Sequence, residues 1–247
     1  MVSSIRNSAI FPTIETILNR LRQLNTQDIQ SQWQRSKDMS VEDVFSSKAD
    51  GWAITSLNER QHIAWGRGYQ IIWLYQSIRV PDHLFGYPLS GLTLRLALTW
   101  WADDAQIYVD RKLVQSGDLF ECFTRICLSQ CAVPGQTFQV AIRLVSPGHD
   151  DGALVRSHLT YELPTHYPTP EPSFVADELT VLATLEPDSQ IEIEQAMAQL
   201  NWNSLKMSQP DVSLQDSAQQ IWENLSTQTQ LIPSVIHPFQ QSLSKLR

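Results

Sequence analysis

The start of the chain carries apolar side chains at helical spacing. Isoleucine and leucine recur at intervals of three and four residues along one amphipathic stripe, at Ile14, Ile17, Leu18, Leu21 and Leu24. This spacing predicts a helix. Ile29 and Trp33 are four residues apart, as on one face of a helix, and predict a second short helix. The polar stretch that follows, 37–50, predicts a linker or a surface loop.

In the middle of the chain the apolar period shortens to about 2 residues, which is typical of strands. Apolar and polar residues alternate along 92–100 and again along 138–144, and each run predicts a strand with one buried face. The run 69–80 is apolar on both faces, which predicts a strand covered on both sides. Shorter candidate strands lie at 52–56, 62–65, 106–109, 119–128 and 154–161. Gly- and Pro-containing turns separate these runs, so the pattern predicts an antiparallel, jelly-roll-like β-sandwich.

Helical spacing returns after the proline-rich stretch 164–172. Apolar residues predict one helix at Phe174, Leu179, Leu182 and Leu185, and further helices beyond Pro187. The predicted fold is therefore mainly β, with helical segments on both flanks. We divide it into an N-terminal helical segment at 1–45, a β-sandwich domain at 46–165 and a C-terminal helical segment at 166–247.

Composition narrows the range of partners and compartments. Acidic residues outnumber basic ones by 26 to 18, for a formal net charge of -8, which argues against nucleic-acid binding. No apolar run approaches the ~20 residues that span a bilayer, and the first ten residues lack the apolar stretch of a secretory signal. Three cysteines without such a signal favour a reducing cytoplasm. The cysteines match no zinc-binding spacing and are expected to be small buried side chains; they are Cys122, Cys127 and Cys131.

The densest polar cluster of the sequence lies at 146–152 and includes His149, Asp150 and Asp151. Carboxylates beside a histidine are suited to a cation or to sugar hydroxyls. The alternative is a solvated loop between two strands, in which aspartates cap backbone N–H groups. We favour the loop, with an interface role preferred over catalysis.

The pair Trp100-Trp101 is a second candidate feature. Neighbouring strand residues point to opposite faces, so Trp100 is expected in the core and Trp101 on the other face. An exposed indole is a platform for the C–H face of a sugar ring, whereas the alternative is burial of Trp101 beneath a helix or a neighbouring domain. We favour burial. The possible ligand or interface contacts are thus Trp101, His149, Asp150 and Asp151, and no pair of carboxylates can be selected as catalytic.

Several runs, read in order, resemble the N-terminal accessory domain of cyanobacterial-type alpha-mannosidases of glycoside hydrolase family 38. They are GYPLSGLTLRL at 86–96, LTWWADDA at 98–105, IYVD at 107–110, KLVQSGDLF at 112–120, RLVSPGHD at 143–150, GALVRS at 152–157 and FVADEL at 174–179. One departure is the turn Asp110-Arg111, where such domains usually have Asn-Gly, a pair suited to a type I′ hairpin. That departure puts the turn type in question but not the fold.

The resemblance implies a non-catalytic role. The catalytic domain of the family begins with an Ala-His-x-Asp motif that binds zinc, and no such motif occurs in this sequence. We therefore expect no catalytic residue, cofactor or metal in this chain, with zinc confined to a catalytic domain that would follow the last helix. The expected partner is that domain, and a homo-oligomer or a carbohydrate is possible. The alternatives are a free-standing carbohydrate-binding module and an interaction scaffold.

Overall fold

The computed structural model describes residues 14–37, 39–46, 52–163 and 171–185. Their contacts divide them into two compact units. The larger unit contains 25–84 and 88–163, and the smaller contains 14–24, 85–87 and 171–185. The helices predicted beyond Pro187 lie outside the described residues.

Strands account for most of the described chain. They are β1 (Thr26–Asp28), β2 (Gln34–Lys37), β3 (Ala53–Ile54), β4 (Ile63–Trp65), β5 (Ile71–Arg79), β6 (His83–Leu84), β7 (Tyr87–Pro88), β8 (Thr93–Trp101), β9 (Asp104–Val109), β10 (Lys112–Gly117), β11 (Phe123–Ser129), β12 (Thr137–Val145) and β13 (Gly152–Glu162). The helices are α1 (Ile14–Gln23), α2 (Val41–Val44) and α3 (Pro172–Leu185), and a 3₁₀ turn spans Gln30–Gln32.

The larger unit consists of two antiparallel sheets. The first sheet has the order β1-β13-β8-β11, and β4 also pairs with β13. The second sheet has the order β10-β9-β12-β5-β2-β3. The prediction of a mainly β, antiparallel sandwich is confirmed. The predicted domain boundaries remain predictions, although strands already begin at Thr26.

The sandwich core contains the residues that the apolar alternation predicted to be buried. Every second residue of β8 is buried, as are the matching residues of β12 and β5 in the second sheet. The inward side chains are Leu94, Leu96, Leu98 and Trp100 from β8, with Val140, Ile142, Leu144, Ile72, Leu74 and Ile78 from the second sheet. Alternation along each strand thus gives the sandwich one apolar layer between its sheets.

The outer face of the second sheet is covered as well. Val44 and Phe45 pack on Trp73, Tyr108 and Ala141, which all point away from the sandwich core. The two-sided burial predicted for β5 is therefore confirmed. The prediction that 37–50 is only a loop is wrong, because α2 forms here. The local reason is an N-cap, in which the Ser40 hydroxyl accepts a hydrogen bond from the backbone N–H of Asp43 at 3.2 Å.

The second predicted helix does not form. The segment around Ile29 and Trp33 is the 3₁₀ turn between β1 and β2, and it crosses from the first sheet to the second. Both apolar residues are buried, but a tertiary hydrogen-bond chain sets their conformation. Trp33 Nε1 donates to Ser157 Oγ at 2.8 Å, Ser157 Oγ donates to Gln30 Oε1 at 2.7 Å, and Gln30 Nε2 donates to the Leu154 carbonyl at 2.7 Å. These fully buried partners outweigh a weak helical preference.

We expect Ser157→Ala to lower the free energy of unfolding by about 2–3 kcal/mol, because it leaves Trp33 Nε1 and Gln30 Oε1 buried without a partner. Urea denaturation measures the change. Ser77→Ala is the matched control, since Ser77 is exposed in β5, and its effect should stay within about 0.5 kcal/mol. Equal losses in the two variants would contradict a stabilising role for the Ser157 hydroxyl.

The β9–β10 hairpin turns without glycine. Asp110 and Arg111 both have positive φ, at 47° and 70°, as a type I′ turn requires. Hydrogen bonds with other parts of the chain stabilise this turn. Asp110 Oδ1 accepts from the backbone N–H of Gln139 at 2.9 Å, and Arg111 Nη2 donates to the Phe45 carbonyl at 3.1 Å. The departure from Asn-Gly noted in the sequence therefore leaves the turn conformation unchanged.

We expect Asp110→Ala to destabilise the protein by about 1–2 kcal/mol, because alanine loses the bond to Gln139 and tolerates the left-handed conformation poorly. Asp110→Asn keeps a side-chain oxygen and accepts that conformation, so its effect should stay below about 0.5 kcal/mol. Chemical denaturation of the two variants side by side tests this. Indistinguishable midpoints would contradict it.

The smaller unit is built on two helices. α1 and α3 are in contact, and α1 buries Ile17, Leu18 and Leu21 as predicted. The predicted helix at 174–185 forms, although Phe174 is exposed and the neighbouring Val175 and Ala176 are buried instead. Arg22 Nη2 lies 2.9 Å from both Asp177 Oδ1 and Thr180 Oγ1. Among the described residues, no helix is long and apolar enough to span a membrane.

Candidate functional site

The outer face of the first sheet holds a groove of about 650 Å³, which we call the Ala153 trough. Its floor is set by strand register. Ala153 of β13 lies opposite Trp101 of β8 on one side and opposite Ala64 of β4 on the other. Two methyl groups thus stand beside one indole across three adjacent strands. Small side chains in the middle of such a row leave an open trough about 10 Å wide.

Strand irregularities shape the two ends of the floor. The register of β13 against β8 shifts between Leu154 and Arg156, which makes Val155 the extra residue of a β-bulge, and Val155 lines the trough. At the other end Gly152 lies under the Trp65 indole, where a Cβ would come within 2.3 Å of a ring carbon. Only glycine fits this position without a shift of Trp65, so the close approach fixes where β13 begins.

The polar wall of the trough is the loop before β4, which contributes Asn58, Glu59, Arg60 and His62. Asn58 organises this loop. Its Oδ1 accepts from the backbone N–H groups of Arg60 at 2.9 Å and His62 at 3.0 Å. Its backbone N–H donates to the His62 carbonyl at 3.0 Å. The loop therefore presents its charged side chains from a hydrogen-bonded backbone.

Asp150 and Asp151, which were predicted from sequence, form one end of the same trough. Their hydrogen bonds match the loop interpretation of the 146–152 cluster. Asp151 Oδ1 accepts from the backbone N–H of Arg67 at 3.0 Å, and Asp150 Oδ1 accepts from that of Asp151 at 3.1 Å. Buried Ser146 accepts from the backbone N–H of Gln70 at 2.9 Å. The cluster thus ties the loop before β5 to the loop before β13, and carboxylate oxygens remain at the trough.

The other residues singled out from the sequence, His149 and the pair Trp100-Trp101, lie in different surroundings. His149 is exposed but does not line the trough, so the structure separates it from Asp150 and Asp151. Trp100 is buried, as expected, and its Nε1 donates to the Asp118 carbonyl at 3.1 Å. Trp101 is 39% exposed, and its burial beneath a helix or a neighbouring domain stays a prediction. The indole reaches solvent since β4 and β13 place only alanines beside it.

Sequence reasoning missed the residues of the polar wall, together with Ala64 and Ala153. No motif marks them, because 58–64, 101 and 150–155 are far apart in the chain and meet only through strand pairing. The alternating strand pattern would have found the pairing faces, but not which strands are neighbours. The asparagine of the loop before β4, with its turn-forming neighbours, was the one local signal.

Away from the trough, the same sheet face carries a charge network. Glu162 Oε2 accepts from Arg95 Nε at 2.8 Å, and Glu162 Oε1 pairs with Arg125. His158 lies in the neighbouring row, opposite Ala97 and Asp28. Burial lowers the pKa of His158, and the nearby Arg156 and Arg125 lower it further, while Asp28 opposes them. The imidazole is therefore held neutral at a pH where an exposed histidine would begin to charge.

We expect the protein to lose stability as the pH falls below about 6.5, because the unfolded chain then binds a proton that folded His158 resists. Above that value both states are neutral and the contribution is constant. Thermal unfolding of the wild type and His158→Gln between pH 5 and pH 7.5 tests this, since the variant should have the flatter profile. Parallel profiles would contradict the assignment to His158.

The described part of the chain contains no arrangement of side chains suited to metal binding or to thiol chemistry. No group of three or more histidine, cysteine or acidic residues there could hold a metal ion. The three cysteines are free, and the expectation that they are buried is wrong, because Cys127 and Cys131 are exposed and Cys122 is half-buried. Cys127 lies opposite Arg95, which points to the outer face of the first sheet, so β11 leaves its thiol at the surface.

Solved structures with partial similarity are glycoside hydrolases. Bacteroides uniformis beta-glucuronidase 2 matches with a TM-score of 0.42 and 18% identity, over 56% of this chain and 18% of that one. Ruminococcus gnavus beta-glucuronidase matches with a TM-score of 0.38 and 12% identity, over 57% and 28%. A glycosyl hydrolase family 2 member from Bacteroides cellulosilyticus matches with a TM-score of 0.43 and 12% identity, over 57% and 21%.

This chain thus spans less than a third of the length of each of these three proteins. No protein-family model matches the sequence. No curated protein matches it either.

Proposed function

We propose that this chain is the non-catalytic N-terminal part of a glycoside hydrolase, of the alpha-mannosidase type in family 38. In that role the β-sandwich packs on or supports a zinc-dependent retaining catalytic domain, which brings its own nucleophile and metal. The chain itself supplies no catalytic group. As part of this proposal the protein works in the cytoplasm, where its three free thiols stay reduced.

The observation that carries the proposal is how the resembling runs are distributed over the sandwich. The run 86–96 leads into β8, 98–105 joins β8 to β9, and the runs at 107–110 and 112–120 form most of the β9–β10 hairpin. The runs at 143–150 and 152–157 join β12 to β13. Together they cover most of β8 and β9, all of β10, the last three residues of β12 and the first six of β13. The resemblance therefore falls mainly on strands and turns of the sandwich, with one further run, 174–179, in α3, and it includes no catalytic motif.

The second candidate is a free-standing carbohydrate-binding module, and the observation that favours it is the exposed indole of Trp101 in the Ala153 trough. A third is an interaction scaffold, which forms a homo-oligomer or binds another chain. Exposed Phe120 and Phe123 beside β11 favour it, because solvent-facing aromatic side chains are enriched at protein interfaces. A sizing column separates the scaffold from the module, since only the scaffold requires self-association or a stable partner.

Reading the source gene past the codon for Arg247 tests the proposal. We expect an open frame that continues into an Ala-His-x-Asp motif, since the family's catalytic domain begins there. An in-frame stop codon at that point would overturn the accessory role and leave the binding module and the scaffold.

A second measurement is the activity of the purified chain on aryl alpha-mannosides. We expect no hydrolysis above that of a heat-denatured sample, because the chain has no zinc motif and no assigned nucleophile. Enzyme-like turnover would overturn the proposal. The control is the longer protein, if the gene encodes one, prepared and assayed identically with zinc present.

A further inference from the structure

We infer that the Ala153 trough binds a neutral sugar ring, with Trp101 as the stacking platform. This inference deepens the carbohydrate-binding candidate above by naming its ligand class, and it does not rest on the accessory role, because it concerns only side chains of this chain and requires no catalytic domain. It makes the outer face of the first sheet a ligand-binding face. The argument proceeds from shape, to hydrogen-bonding groups, to charge.

Shape comes from the row Trp101, Ala153 and Ala64. An indole standing beside two methyl groups gives one apolar wall and a shallow apolar floor. A pyranose has an apolar C–H face and a rim of hydroxyls, so its face can lie against the ring while its rim points into the trough. A side chain larger than alanine at position 153 would fill the space that the sugar needs.

Hydrogen-bonding groups stand opposite the apolar part. Asp150 and Asp151 supply acceptors at one end, and Glu59, Arg60 and His62 supply acceptors and donors along the loop before β4. Sugar hydroxyls both donate and accept, so a mixed set of this kind fits them. These backbones are fixed before binding, by Asn58 in one loop and by the Asp151 contact to Arg67 in the other, which lowers the entropy lost on binding.

The charge of the trough distinguishes neutral sugars from anionic ones. Three carboxylates, those of Glu59, Asp150 and Asp151, line the trough with the single guanidinium of Arg60. The chain as a whole carries a formal net charge of -8. A uronate or a sugar phosphate would bring another negative charge beside these carboxylates and be repelled. The trough therefore favours an uncharged ring.

Shape also argues against the other ligand that aromatic grooves commonly bind, a proline-rich peptide. Such grooves are lined by several aromatic side chains that hold successive prolines. The trough has one aromatic residue, Trp101, and its opposite side is polar. A peptide of that kind is the competing outcome of the experiment.

The experiment is a titration of the purified, ¹⁵N-labelled chain with methyl alpha-mannopyranoside, methyl alpha-glucopyranoside and glucuronate, followed by NMR. The indole N–H signal of Trp101 is assigned by its loss in Trp101→Phe, because the chain contains eight tryptophans. We expect at least one neutral glycoside to shift that signal, with a dissociation constant of about 1–10 mM for one ring in an open groove. Glucuronate should bind at least about tenfold more weakly.

Two variants and a control locate the binding. Trp101→Ala should weaken it by about tenfold or more, because the stacking surface is lost. Since this variant lacks the Trp101 indole, its binding is followed by the backbone amide signals of Ala64 and Ala153, which line the trough. Ala153→Leu leaves Trp101 in place but fills the floor, and should also abolish binding. Phe120→Ala is the matched control, since it removes an aromatic side chain that is 94% exposed and outside the trough, and it should bind like the wild type. The dispersion of each spectrum verifies that the variant is folded.

Several outcomes would overturn the inference. They are the absence of any shift with either neutral glycoside at ten times the expected dissociation constant, and binding that survives both Trp101→Ala and Ala153→Leu. Glucuronate binding as tightly as the neutral rings, or a proline-rich peptide shifting Trp101 where sugars do not, would do the same. None of these results bears on the gene-reading test, so failure of the trough and failure of the proposed function are distinguishable.

Discussion

A single buried hydroxyl, that of Ser157, holds together the place where the chain crosses between the two sheets. β1 belongs to the first sheet and β2 to the second, and only a short turn separates them. Ser157 bonds Trp33 and Gln30 from that turn to the middle of β13. Since each of these polar groups is out of contact with water, the crossing has one conformation that satisfies them all. β2 begins directly after Trp33 and pairs with β5 in the second sheet.

The two sheets differ in what covers their outer faces. The second sheet carries α2, Phe45 and Trp52 over Trp73 and Tyr75, with the rings of Phe45 and Tyr75 at 6.2 Å and those of Trp52 and Tyr75 at 5.6 Å. The first sheet has no comparable cover among the described residues, and its outer side chains are mostly polar or charged. An antiparallel sheet with one solvated face is a stable arrangement. The same asymmetry leaves one face of the domain available for contacts.

The sequence predicted most of the fold because strand periodicity is a direct record of burial. The apolar residues that the alternation selected in β8, β12 and β5 are buried, although Ala97, Ala141 and Gln76 are buried as well. It failed where a distant partner outweighs the local pattern: Ile29 and Trp33 have helical spacing, yet Ser157 determines their conformation. α2 was missed because its four residues are too few to display a period, and only the Ser40 cap marks it. The cysteines were expected inside because cysteine is on average a buried residue, whereas Cys127 is exposed on the edge strand β11 and Cys131 is exposed just after it.

The candidate site was predictable only in part, for the same reason. The sequence marked Trp101 separately from Asp150 and Asp151. Their proximity to Asn58 and His62 depends on β13 pairing with both β8 and β4. The amino-acid composition does not predict that strand pairing. The alanines that open the trough could not be predicted from the sequence, because a small side chain marks a groove only when its neighbours in the sheet are known. His149 was a candidate because it neighbours Asp150 in the sequence, but it does not line the trough.

The turn at Asp110-Arg111 shows how a hairpin forms without its usual residues. Few residues other than Asn and Gly adopt two successive left-handed conformations easily. Here the hydrogen bonds with Gln139 and Phe45 supply part of the stabilisation from elsewhere in the fold. The conformation of the hairpin therefore depends on the segment that carries α2, so a turn between two strands is coupled to a helix that is distant in sequence.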